Sequence, residues 1–147
     1  MIESKPVDRI ALISDRYGRF YAPFAVVSVL LAFLPLFDAV GFGSVFDMAR
    51  SRNGDPAVFG ILLLGVLITL LTVAALRVRS PLLPAATAFV AGLILLMLLS
   101  KPGAGDPPPD LSGSGRAGVV IMVAIIVASF AHAIHLLVAG WRPPATY

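Results

Sequence analysis

Residues 119–140 read VVIMVAIIVASFAHAIHLLVAG. No Asp, Glu, Lys or Arg interrupts the run from Ala117 to Trp141, which is long enough for a helix to cross about 30 Å of hydrocarbon. The stretch also holds both histidines of the chain. At about 100° per residue, Ala124, Ala128, His132, His135 and Ala139 fall on one face with Ala131 beside them. Ile121, Val123, Ile126, Val127, Phe130, Ile134 and Val138 spread over the rest. The pattern predicts a membrane-spanning helix whose seam of small residues carries two polar ones.

Three further stretches are free of charge: Phe20 to Phe37, Ala57 to Leu76, and Pro81 to Leu99. Each meets or nearly meets the same length requirement. The expected fold is therefore all-α, one domain of four transmembrane helices over about 20–37, 57–76, 81–99 and 117–140. Composition agrees: 59% of the chain is hydrophobic and 13% charged, against roughly 25% charged in a soluble domain. Such a chain cannot cover itself with polar side chains in water.

The first nineteen residues mix Glu3, Asp8 and Asp15 with Lys5, Arg9, Arg16 and Arg19 and offer no small-residue cleavage site. The first span is thus read as retained rather than cleaved. With no cysteine, disulfides, iron–sulfur clusters, thiolate zinc sites and covalent haem attachment are excluded. The net charge of +3 does not indicate a nucleic-acid partner, because the basic residues are scattered over membrane flanks. Lys5, Arg9, Arg16, Arg19, Arg77, Arg79 and Arg142 fall on one side, and Arg50, Arg52, Lys101 and Arg116 on the other. That asymmetry places both termini in the cytoplasm of a cell-membrane protein.

Val7, Ile10, Ile13 and Tyr17 recur at helical spacing, which predicts a short helix lying on the cytoplasmic surface, with Tyr17, Phe20 and Tyr21 at headgroup level. Pro23 then falls in the opening turn of the first span, and Pro35 bends or ends it before Asp38. In the loop that follows, Ser44 and Asp47 have capping-box spacing, and Phe42, Val45, Phe46 and Ala49 form an apolar stripe. These predict a second short helix flat on the opposite surface, whose stripe tucks against headgroups or docks an exported partner. Asp55-Pro56 and Ser80-Pro81 read as N-cap and first-turn pairs for the second and third spans.

Gly65, Thr69 and Thr72 on the second span, and Ala85, Ala88 and Gly92 on the third, are seams of small residues that admit close helix approach. They mark candidate interfaces. Only Leu76 to Pro81 separates these spans, so they form an antiparallel hairpin. The segment 100–116, with Pro107, Pro108 and Pro109, reads as a flexible proline- and glycine-rich loop.

His135 and His132 lie six and nine residues, about two to two and a half turns, inside Trp141. Ionisable groups at that depth usually face a bundle interior or a wet cavity. Two histidines three apart on one helix point the same way, so one copy cannot build a bis-histidine haem, and a second axial ligand would have to be Met97, Met122, a second copy or a partner subunit. A zinc site lacks a third ligand, because the second and third spans contain no Asp, Glu, His or Cys. Ser129 has no Ser-His-acid arrangement around it. No cofactor is expected; haem or quinone would enter only if a partner chain contributed a ligand. The reading is a non-catalytic accessory or stabilising subunit of a larger respiratory or envelope-transport complex, with the bilayer and other membrane subunits, or a second copy, as partners. The competing reading is a small proton-, quinone- or haem-contacting carrier using His132 and His135.

Overall fold

A computed structural model describes residues 9–40, 42–51, 54–76, 79–102 and 106–141. The chain is helical throughout its regular structure: α1 (Arg9–Leu31), α2 (Val45–Ala49), α3 (Asp55–Ala75), α4 (Leu82–Ser100) and α5 (Gly113–Trp141). The four long helices close a ring in which α1 packs on α3, α3 on α4, α4 on α5, and α5 on α1. Neighbours run antiparallel. Gly60 near the start of α3 faces Met97 near the end of α4, and Gly118 near the start of α5 faces Leu98 of α4 and Leu31 of α1. Tyr21, Leu31, Leu67, Leu71, Ala91, Met122 and Ile125, drawn from all four helices, form one shared core.

Burial along two of the helices follows a seven-residue period. Ser14, Gly18, Tyr21, Ala25 and Ser28 are successive buried positions of α1, ahead of Leu31, and Met122, Ile125, Ser129, His132 and Leu136 are buried at the same spacing on α5, with Ala133 beside His132. Alternating steps of three and four keep one seam facing its neighbours, as in coiled-coil packing. The outer surface is apolar, with Leu62, Phe89, Val120, Val127 and Phe130 exposed.

Among the described residues three helices are long and apolar enough to cross a membrane: Asp55–Ala75, Leu82–Ser100 and Gly113–Gly140. The expected first span does not qualify by itself. Its helix stops at Leu31, so the charge-free helical part, 20–31, rises only about 18 Å. The end is built by three successive i to i−3 bonds, from Ala32, Phe33 and Leu34 to Val29, Leu30 and Leu31, followed by Pro35, which has no N–H to continue the ladder.

Nor is there a break between this segment and the surface helix expected before it. The two are one continuous helix from Arg9. The buried period runs unbroken from Ser14 to Ser28 across the join, while Arg9, Arg16 and Arg19 stay exposed and Arg19 pairs with Asp15 at 3.1 Å. Packing thus outweighs the change in composition. Pro23 consequently sits inside α1 rather than in an opening turn. Val7 of the expected stripe lies outside the described residues.

The α2 capping box forms as its spacing predicts. Ser44 caps Asp47, whose carboxylate accepts from the Ser44 backbone N–H at 2.9 Å and from its hydroxyl at 2.7 Å. Those bonds hold the Asp47 carboxyl below its ordinary range. Val45 is buried, Phe46 leans on Phe33, Phe42 meets Phe37 edge to face, and the helix packs on α3. The caps of the next two helices fall one residue from expectation, on Gly54 and Pro81.

The 100–116 segment, read as a flexible loop, is in its second half a clasp. Asp38 N–H donates to the Asp110 carbonyl at 2.8 Å and Ser112 N–H to the Leu36 carbonyl at 3.0 Å, with Phe37 and Leu111 paired between them. The Ser112 and Ser114 hydroxyls both donate to the Pro35 carbonyl. Ser112 also accepts from Gly115 N–H at 3.0 Å, capping α5, which therefore begins at Gly113 and takes in Arg116, ahead of the expected start at 117. Gly115 permits this join, since a Cβ there would collide with the Leu36 carbonyl. At the end of α4, Lys101 adopts a left-handed φ of 49°, and its Nζ donates to the Pro109 carbonyl at 2.7 Å.

Candidate functional site

The seam between α1 and α5 brings both histidines of the chain against two tyrosines. Because the helices are antiparallel, Tyr17 and Tyr21, one turn apart on α1, meet His135 and His132, nearly one turn apart on α5. The Tyr17 hydroxyl lies 2.6 Å from His135 Nδ1, and the Tyr21 hydroxyl 2.9 Å from His132 Nδ1. The Tyr17 ring also stacks on His132, with centroids 4.6 Å and planes 9° apart. Gly18 and Ala25 are buried on the same face of α1 as Tyr21.

The two pairs differ in burial. His132 is 2% exposed and Tyr21 1%, whereas His135 is exposed and Tyr17 half-buried. His132 Nε2, Ser129 Oγ and Ser28 Oγ are buried without a hydrogen-bond partner. Two tautomers fit the inner pair. If Tyr21 donates, the His132 proton sits on the buried Nε2; if Tyr21 accepts, Nε2 is a bare acceptor and the phenol proton turns elsewhere. The Ser129 hydroxyl adjoins that of Tyr21 without meeting it in hydrogen-bond geometry. Either way His132 is oriented by Tyr21 and presents its second nitrogen to the interior.

The residues expected on the α5 face are not brought together. His132 is buried, but Ala124, Ala128, Ala131 and Ala139 are only half-buried. The buried face lies about one residue, roughly 100°, further round, on Met122, Ile125, Ser129, His132 and Leu136. Ala88 is buried and Gly92 half-buried on α4, while Gly65, Thr69 and Thr72 on α3 are exposed. The two threonine hydroxyls donate to their own helix, at the Gly65 and Ile68 carbonyls. Phe42 and Phe46 sit around α2, far along the chain from the histidine seam, each half-buried.

Tyr17 and Tyr21, expected at headgroup level, are instead the partners of His135 and His132. In the sequence this face is carried by the period of Ser14, Gly18, Tyr21, Ala25 and Ser28, all buried, which runs through the charged segment. Among the described residues no group of three His, Cys, Asp or Glu is placed to hold a metal ion. The seam can link helices, and it can hold or pass a proton between phenol and imidazole. Compared with known proteins, the chain matches no family model, no curated protein and no solved structure.

Proposed function

We propose that this chain is a non-catalytic membrane protein in which α1 serves as a fourth, partly interfacial span, and that it acts as an accessory or stabilising subunit of a larger complex of the cell membrane, respiratory or engaged in envelope transport. The observation that carries this reading is the pairing of both histidines with tyrosines of the same chain, which makes the imidazoles links between α1 and α5. The outward stripe of Gly65, Thr69 and Thr72, its hydroxyls already bonded within the helix, is a surface of the kind on which another membrane helix packs. Both termini are assigned to the cytoplasm, where the exposed Arg9, Arg16 and Arg19 reach headgroups from the start of α1. Purification of the tagged chain in mild detergent should return a stoichiometric companion. Migration as a lone 15.4 kDa monomer would overturn the reading.

The unpartnered Nε2 of His132 favours a second reading, a carrier or redox subunit that handles protons or touches quinone or haem. An imidazole held at Nδ1 with Nε2 left over is oriented as a ligating or proton-exchanging histidine is. On that reading His132→Gln with His135→Gln abolishes activity while the protein stays in the membrane. An optical spectrum without a cofactor band removes its haem version.

A further inference from the structure

We propose that the apolar cavity at the clasp end of the bundle holds a segment of one hydrocarbon chain from a membrane lipid. The cavity, about 110 Å³ and partly open, lies where all five helices converge beneath Phe37 of the clasp. Leu31, Leu64, Met48, Met97 and Met122 line it. Water needs two to four polar partners to settle in such a space and finds almost none here. A dry cavity of roughly 150 Å³ admits a benzene-sized guest, so this one takes a few methylenes of a single unbranched chain, not a ring system with its tail.

Two observations point to a guest rather than a packing defect. Gly60 and Gly118 both line the cavity, yet neither is needed for close helix approach: a Cβ on Gly60 would meet Met97 Cε at 3.7 Å, and one on Gly118 would meet Leu98 Cδ1 at 3.7 Å and Leu31 Cδ1 at 3.9 Å. These are ordinary contacts, so glycine in a helix, unfavourable relative to alanine, here serves to keep the space open. The second observation is the lining by three methionines, whose unbranched thioethers adapt to a chain of variable path. The source of the chain is the bilayer, because the outer surfaces of α3, α4 and α5, which all line the cavity, are apolar, with Leu62, Phe89 and Val120 exposed. The inference therefore rests on the membrane reading above.

The test reconstitutes the full chain in phosphatidylcholine vesicles containing a phosphatidylcholine with a diazirine in its acyl chain, followed by irradiation and peptide mapping. Phe89 and Val127, 68% and 63% exposed, report contact with the bilayer, while Met122, 1% exposed, reports the cavity. Adducts are expected on all three in the native chain. Gly60→Ala with Gly118→Ala should lower the Met122-to-Phe89 ratio about tenfold, as expected from excluding two methylenes of guest. Met122 unlabelled in the native chain beside labelled Phe89 and Val127 overturns the proposal, as does an unchanged ratio in the double variant. If that variant does not insert, Met122 labelling in the native chain decides alone. Absence of label from Phe89 and Val127 would instead overturn the membrane reading.

Discussion

The phenol ring of Tyr17 lies flat on the imidazole of His132, 4.6 Å between centroids, while its hydroxyl reaches 2.6 Å to Nδ1 of His135. One side chain of α1 thus touches both histidines of α5, and Tyr21 closes the inner contact from the next turn.

Tyr21→Phe leaves His132 Nδ1 buried without its partner and should destabilise the protein by about 1–3 kcal/mol. Tyr17→Phe keeps the stack on His132 and opens only the exposed bond, so its cost should stay below about 1 kcal/mol. Thermal unfolding of both variants in one detergent gives the comparison, and equal losses would contradict the burial difference between the two pairs.

Gly113 and Gly115 stand two residues apart at the start of α5, yet a Cβ on Gly113 meets nothing within 4 Å, while one on Gly115 collides with the Leu36 carbonyl. Gly115→Ala should therefore cost about 1–3 kcal/mol through overpacking and a disturbed clasp. Gly113→Ala should be neutral or stabilising by a few tenths to about 1 kcal/mol. Amide exchange at Asp38 and Ser112, whose N–H groups form the clasp, should quicken in the first variant alone.

The Ser44–Asp47 box makes α2 pH-dependent in one direction. Hydrogen bonds from Ser44 lower the Asp47 carboxyl, so its folded value lies below the unfolded one. The contribution is fully present above the unfolded carboxylate value, near about 4, and is lost as pH falls through the lower folded value. Titration of the Asp47 carboxyl by NMR, with amide exchange over 45–50, checks this. Asp47→Asn should abolish the pH dependence of those amides.

Gly65 faces open space in the isolated chain. Gly65→Leu should leave the melting temperature of the purified chain within about 2–4 °C of native, the shift that a surface change of under 1 kcal/mol produces. It should sharply reduce recovery of any companion that packs on the Gly65–Thr69–Thr72 stripe. Undiminished recovery would exclude that stripe as the contact surface.

Much of the architecture is legible in residue order. Charge-free runs locate α3, α4 and α5, the short Leu76 to Pro81 link forces a hairpin, and Ser44 with Asp47 starts α2. Those signals are local: length, charge and cap chemistry act within a helix or its ends. The Met122–Ile125–Ser129–His132 face is also periodic in the sequence, but a face of small residues one step away competes with it, and burial against α1 and α4 decides between them.

What the sequence by itself determined is that this chain is helical and too apolar to live in water, with two histidines inside its last long helix. Only the tertiary structure decided what those histidines meet. Their partners, Tyr17 and Tyr21, are more than a hundred residues away on a helix whose charges suggested a surface element, and contact depends on the register between α1 and α5. Register is set by interdigitation over the whole seam, from Ser14 to Ser28 against Met122 to Leu136. No local pattern encodes such a pairing, because its free energy is distributed over every residue of both faces.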